Sequence, residues 1–186
     1  MPRLFVAVDL PAQIKMQLVD LGFGIPGARW LSADQLHLTL CFIGQVEGAV
    51  FQDIRQALAR VRSPGFNLRL KGVGHFPPRK TPRLLWAGIE ASEALVRLRN
   101  RVQATLVRQG LTPEGRKYTP HITLARLNKA PAAKIGRFLA GNNLFASKPF
   151  AVAEFQLFSS RLTPKGAIHA VEASYPLFSR NDPAQQ

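Results

Sequence analysis

Two of the four histidines sit in matching tetrapeptides, His37-Leu38-Thr39-Leu40 and His121-Ile122-Thr123-Leu124. Each lies in an apolar run, "LHLTLCFIG" at 36–44 and "PHITLARL" at 120–127. On a strand, alternate side chains face opposite ways, so Leu36, Leu38, Leu40 and Phe42 share one face and His37 and Thr39 the other. The imidazole and hydroxyl of each motif stand about 7 Å apart along the strand. Two such strands facing one cleft would gather two imidazoles and two hydroxyls around a common point.

Two histidines can divide proton transfer between a general acid and a general base, each worth about 10²–10⁴-fold in rate. The hydroxyls of Thr39 and Thr123 can donate to two oxygens of an anion held between them. A phosphodiester needs this set: a proton taken from the attacking oxygen, one given to the leaving oxygen, and its charge stabilised. Zinc sites take three or four His, Cys or carboxylate ligands, and neither motif has an acid or second histidine beside it. No metal or other cofactor is expected. No serine occupies a nucleophile elbow, and Cys41 is the only cysteine, which excludes an intrachain disulfide.

The elements needed to position these residues are readable around them. "RLFVAVDL" (3–10) reads as a buried strand ended by Pro11, and Ile14, Leu18 and Leu21 follow at helical spacing. The "GFGIPGARW" segment reads as an irregular connection before the first motif. Val50, Ile54, Leu58 and Val61 mark a helix over 47–62, and 66–74 alternates like one half-buried strand. "RLLWAGIE" (83–90) is a strand, and Ser92 is a suitable N-cap for a helix striped by Leu95, Leu98, Val102 and Leu106. After the second motif a helix runs from Pro131 to about Leu139, followed by strands over 150–162 and 167–178 with a "TPKG" turn between them. His75 is placed in a glycine-rich loop, and His169 on the last strand.

Strand, helix, motif strand, helix, strand occurs twice in that order. The pattern predicts an α+β fold made by pseudo-two-fold duplication. Residues 1–180 are read as a single catalytic domain of two pseudo-symmetric lobes, and 181–186 as a disordered tail. No apolar run is long enough for a membrane span, and the first residues do not form a signal peptide. A soluble, cytoplasmic protein is expected. Lys and Arg number 25 against 11 acids, a net charge of +14, which suits a polyanionic partner.

The paired motifs resemble the HxTx motifs of the 2H phosphoesterase superfamily, in its RNA 2′,3′-cyclic phosphodiesterase (2′-5′ RNA ligase) branch. The resemblance extends to "RLFVAVDLP", "RLLWAGIE" and "FSSRLTPKGAIHAVEASYPL" and covers residues 3–178. It implies a bilobed fold, each lobe an antiparallel sheet with helices on its outer side and the catalytic cleft between lobes. The implied reaction opens a terminal 2′,3′-cyclic phosphate on RNA ends, tRNA fragments among them, to a 2′-phosphate, by a monomer. Reversible 2′-5′ ligation is the same chemistry run backwards. His37 would be the proton donor and His121 the proton acceptor, although the near-symmetric motifs do not themselves separate the roles. Thr39 and Thr123 would bind phosphate. Arg126 would join them, but its odd offset from His121 puts it on the wrong face unless the strand ends or bulges. A sister enzyme acting on small cyclic nucleotides or ADP-ribose cyclic phosphate, and a non-catalytic RNA-binding module, are the alternatives.

Overall fold

The computed structural model describes residues 3–78, 80–112, 115, 117–164 and 166–178. The tail read as disordered, 181–186, lies outside the described residues. In chain order the strands are β1 (Arg3–Asp9), β2 (Ala28–Trp30), β3 (His37–Gly44), β4 (Phe66–Leu68), β5 (Leu70–Phe76), β6 (Leu84–Ile89), β7 (His121–Leu127), β8 (Phe150–Val152), β9 (Glu154–Thr163) and β10 (Gly166–Pro176). The helices are α1 (Ala12–Asp20), α2 (Gly48–Leu58), α3 (Glu93–Arg108) and α4 (Ala132–Asn142), with a 3₁₀ turn at Ala33–Gln35.

Seven strands run in the order β10-β9-β1-β3-β7-β6-β5, with β2 paired to β7, giving one eight-stranded sheet. All its described pairings are antiparallel. The two halves, β10-β9-β1-β3 and β7-β6-β5, join through a single residue pair, Leu38 with Ile122. These residues stand between the His and Thr of the two motifs, so the motifs meet where the halves of the sheet join. The sheet face bearing Leu38, Leu40, Ile122 and Leu124 packs against Ile14 and Leu18 of α1, Ile54 and Leu58 of α2, Leu95, Leu98 and Val102 of α3, and Ile135 and Phe138 of α4. The helical stripes read from the sequence are the faces buried here. Ser92 caps α3, its Oγ accepting from the Leu95 amide at 3.2 Å. On the opposite sheet face Phe5, Ala7 and Phe158 form a separate small cluster.

Several elements differ from the sequence reading. Residues 66–74 divide into β4, which pairs with β8 in a two-stranded sheet, and β5 at the edge of the main sheet. The break at Arg69 is held by Ser147, whose Oγ accepts from the Leu70 amide at 2.9 Å and whose carbonyl accepts from Arg69 Nε at 3.0 Å. The 150–162 strand divides likewise into β8 and β9 around Ala153, whose carbonyl accepts from the Leu177 amide. "GARW" forms β2 through its pairing with β7, and is not an irregular connection. His75 lies on β5 opposite Leu85, and not in a loop.

Candidate active site

β3 and β7 bury their residues in the same sequence: half-buried His, buried apolar, half-buried Thr, then two buried residues and one exposed. The doubled burial is a β-bulge in each strand. On β3, Cys41 pairs with Val6 and Thr39 with Ala7, so Leu40 is the extra residue. On β7, Ala125 pairs with Leu85 and Thr123 with Trp86, so Leu124 is extra. A bulge shifts the parity of the residues beyond it. Arg126, opposite Leu84, therefore returns to the face of His121 and Thr123. Phe42 occupies the equivalent place after the first motif and is 63% exposed.

Both imidazoles are held alike. His37 Nδ1 lies 2.8 Å from the Gln35 carbonyl and His121 Nδ1 2.7 Å from the Thr119 carbonyl, each two residues upstream. A carbonyl only accepts, so Nδ1 carries the hydrogen in both rings and Nε2 is the nitrogen left to exchange a proton. His37 stacks on Phe5 at 4.7 Å between ring centroids and lies 6.0 Å from Phe158. His121 meets Phe76 edge-on at 5.0 Å, and Phe76 in turn packs on Trp86. Each histidine thus stands on an aromatic floor supplied by neighbouring strands.

The electrostatics are less symmetric. His169 on β10 approaches His37 edge-on at 5.1 Å and contacts Phe5 from the side. Burial, followed by the charge of His169, lowers the His37 pKa to about 4. Asp9 opposes this shift and Lys15, which is ion-paired with Asp9 at 2.6 Å, reinforces it. His169 is itself lowered, first by burial, with Asp34 raising it and Arg126 lowering it. The sequence places His169 on a strand but gives no sign of its contact with His37, which is made only across the β1–β9–β10 ladders.

Tyr118 precedes β7 and donates its hydroxyl to the Thr39 carbonyl at 3.1 Å, tying the lead-in of one motif to the backbone of the other. Burial raises its pKa above the usual phenol range, and Arg99 covers its ring at 5.0 Å. His75, opposite the core residue Leu85, faces away from the site. Among the described residues, no three His, Cys, Asp or Glu side chains come together as metal ligands. Nor is any described helix long and apolar enough to cross a membrane.

The chain is similar to known proteins along most of its length. The chain is 34% identical over 178 residues to the RNA 2′,3′-cyclic phosphodiesterase of Thermotoga maritima, covering 91% of this chain and 92% of that protein. It is 36% identical to the Thermus thermophilus protein of the same description, over 94% of this chain and 90% of its relative. The crystal structure of E. coli LigT in apo form superposes with a TM-score of 0.77 at 29% identity, covering 96% of this chain and 99% of that one. The profile of the 2′-5′ RNA ligase superfamily matches residues 24–163, and the chain belongs to that superfamily.

Proposed function

We propose that this protein is an RNA 2′,3′-cyclic phosphodiesterase in which His37 and His121 are the catalytic acid and base. The observation that carries the reading is the junction of β3 and β7 at the centres of two identical motifs, with both histidines fixed in the same tautomer. A terminal 2′,3′-cyclic phosphate binds over this junction. Thr39 and Thr123 donate to its non-bridging oxygens, and Arg126 adds a charge-assisted contact. Nε2 of His121 takes a proton from water as the water oxygen bonds to phosphorus. The bond from phosphorus to O3′ breaks, and Nε2–H of His37 protonates O3′. The product is a 2′-phosphate beside a free 3′-hydroxyl.

His37 is neutral in the resting protein at pH 7, because its pKa lies near 4. Its role as acid requires it to take up a proton with the substrate, whose negative charge favours the imidazolium. Attack by a 5′-hydroxyl on the cyclic phosphate would form a 2′-5′ linkage with the same proton transfers, but water outcompetes it by concentration. On this reading residues 1–180 work as one catalytic domain, a cytoplasmic monomer acting on RNA ends such as tRNA fragments.

The test is hydrolysis of an oligonucleotide ending in a 2′,3′-cyclic phosphate, with chelator present, and identification of the phosphate position in the product. His37→Ala and His121→Ala are each expected to lower kcat by about 10²–10⁴-fold. Near-native turnover by both variants, a 3′-phosphate product, or a strict requirement for divalent metal would overturn the reading. Equal efficiency on a cyclic mononucleotide would assign the site to small cyclic phosphates.

A further inference from the structure

The antiparallel register of β2 and β7 sets Arg29 directly opposite Arg126. Opposed residues on adjacent strands have Cβ atoms about 5 Å apart, and like charges in that position repel. The register has no freedom to avoid this. Ala28 and Trp30 flank Arg29 on the other face, where Trp30 packs against Phe138 of α4 in the core. A slip by one residue would carry the guanidinium into that core. Since Arg126 shares the face of His121 and Thr123, Arg29 shares it too, on a strand that borders the same edge of β7 as β3 does.

Arg29 is also aimed at the first half. A side chain at Gly166, the first residue of β10, would collide with the Arg29 guanidinium. Gly166 has φ +134°, a conformation that favours glycine, so this position leaves room for the arginine. Beside it, Gln35 donates to the Ala167 carbonyl at 2.7 Å, which holds the β9–β10 hairpin against the 3₁₀ turn. Asp34 lies on the same turn, and its charge raises the pKa of His169.

We propose that Arg29 is a specificity-determining residue that binds the phosphodiester linking the terminal nucleotide to the one before it. This rests on the reading of the site under Proposed function. The reacting phosphate lies at the β3–β7 junction, Arg126 stands at its edge, and Arg29 stands opposite Arg126 on β2. A phosphate oxygen pair matches the fork of a guanidinium, and a bound anion relieves the repulsion between the two arginines. A mononucleotide 2′,3′-cyclic phosphate has no such second phosphate, so it reaches the histidines without touching Arg29.

The experiment compares wild type, Arg29→Gln and Arg29→Lys on a 2′,3′-cyclic mononucleotide and on a trinucleotide ending in a 2′,3′-cyclic phosphate. Arg29→Gln is expected to leave the mononucleotide within about twofold and to lower kcat/KM for the trinucleotide about tenfold, mainly through KM. Arg29→Lys, which keeps the charge and loses the fork, should fall between the two. Equal loss on both substrates would assign Arg29 to holding the hairpin, and no loss on either would leave the subsite without a role. Either result overturns the proposal. Failure of the wild type to turn over both substrates would count against the catalytic reading instead. In that case, the affinities of wild type and Arg29→Gln for a trinucleotide 3′-phosphate decide the subsite, a loss of about tenfold supporting it and equal affinity overturning it. Should Arg29→Gln fail to fold, the same ratio measured with Arg29→Lys decides the question.

Discussion

His37 and His169 stand 5.1 Å apart around Phe5, in surroundings that penalise charge on either ring. Two imidazolium ions at that separation repel, so protonation of one opposes protonation of the other. The groups acting on the pair are Asp9 and Lys15 beside His37, and Asp34 and Arg126 beside His169. His169→Phe keeps an aromatic ring against Phe5 and removes the second charge. The His37 pKa should then rise from about 4 towards the ordinary 6.5, although burial, the larger cause, still holds it down. His37 must be protonated to act as the acid, so the limb of the kcat/KM profile set by its deprotonation, on which activity is lost as pH rises, should move to higher pH. A limb that stays in place while activity falls would mean that His169 only fills space.

The paired bulges at Leu40 and Leu124 are the feature that assembles the site, because they turn Phe42 and Arg126 onto the face of the histidines. The repeated motif is legible from sequence because a strand alternates with period two, and His-x-Thr stands out against the apolar residues. The bulges are not legible, since Leu-Cys and Leu-Ala look like any two core residues in succession. Hence parity counted from His121 places Arg126 on the wrong face. β2 is hidden for a different reason: three residues beside Gly27 become a strand only through their partner β7. The helices were readable because each buries one stripe against a single core. The break at Arg69 was not, because alternation continues through it; at Ala153 the phase does shift, with Ala153 and Glu154 both exposed between Val152 and Phe155. The tie between the motif strands is Tyr118, whose hydroxyl reaches the Thr39 carbonyl across them. Tyr118→Phe should lose about 1 kcal/mol of stability, read as a fall in Tm of about 2–4 °C. Cyclic-phosphate hydrolysis should weaken with it, since Thr39 and His37 are no longer pinned to the β7 lead-in. An unchanged Tm and rate would show that the β3–β7 junction sets the motif spacing without this bond.

Across the whole molecule, the near-symmetry of the halves is broken by charge and by what flanks each motif. One half puts an exposed phenylalanine after its motif and the other an arginine, so a strand of nucleic acid crossing the junction meets different groups on its two sides. The chain as a whole carries 25 basic residues against 11 acidic ones. If that excess serves the substrate, the gain should scale with the number of phosphates bound. Each phosphate of a single strand neutralised on binding contributes about −0.7 to the slope of log K against log salt. The slope of log kcat/KM for a trinucleotide cyclic phosphate should therefore be steeper than for a cyclic mononucleotide, by about 0.7 for each extra phosphate in contact. With Arg29 holding one phosphate beyond the reacting one, the expected difference is about one such step, and Arg29→Gln should remove it. Parallel slopes for the two substrates would place the positive charge outside the path of the substrate, as a property of the surface at large.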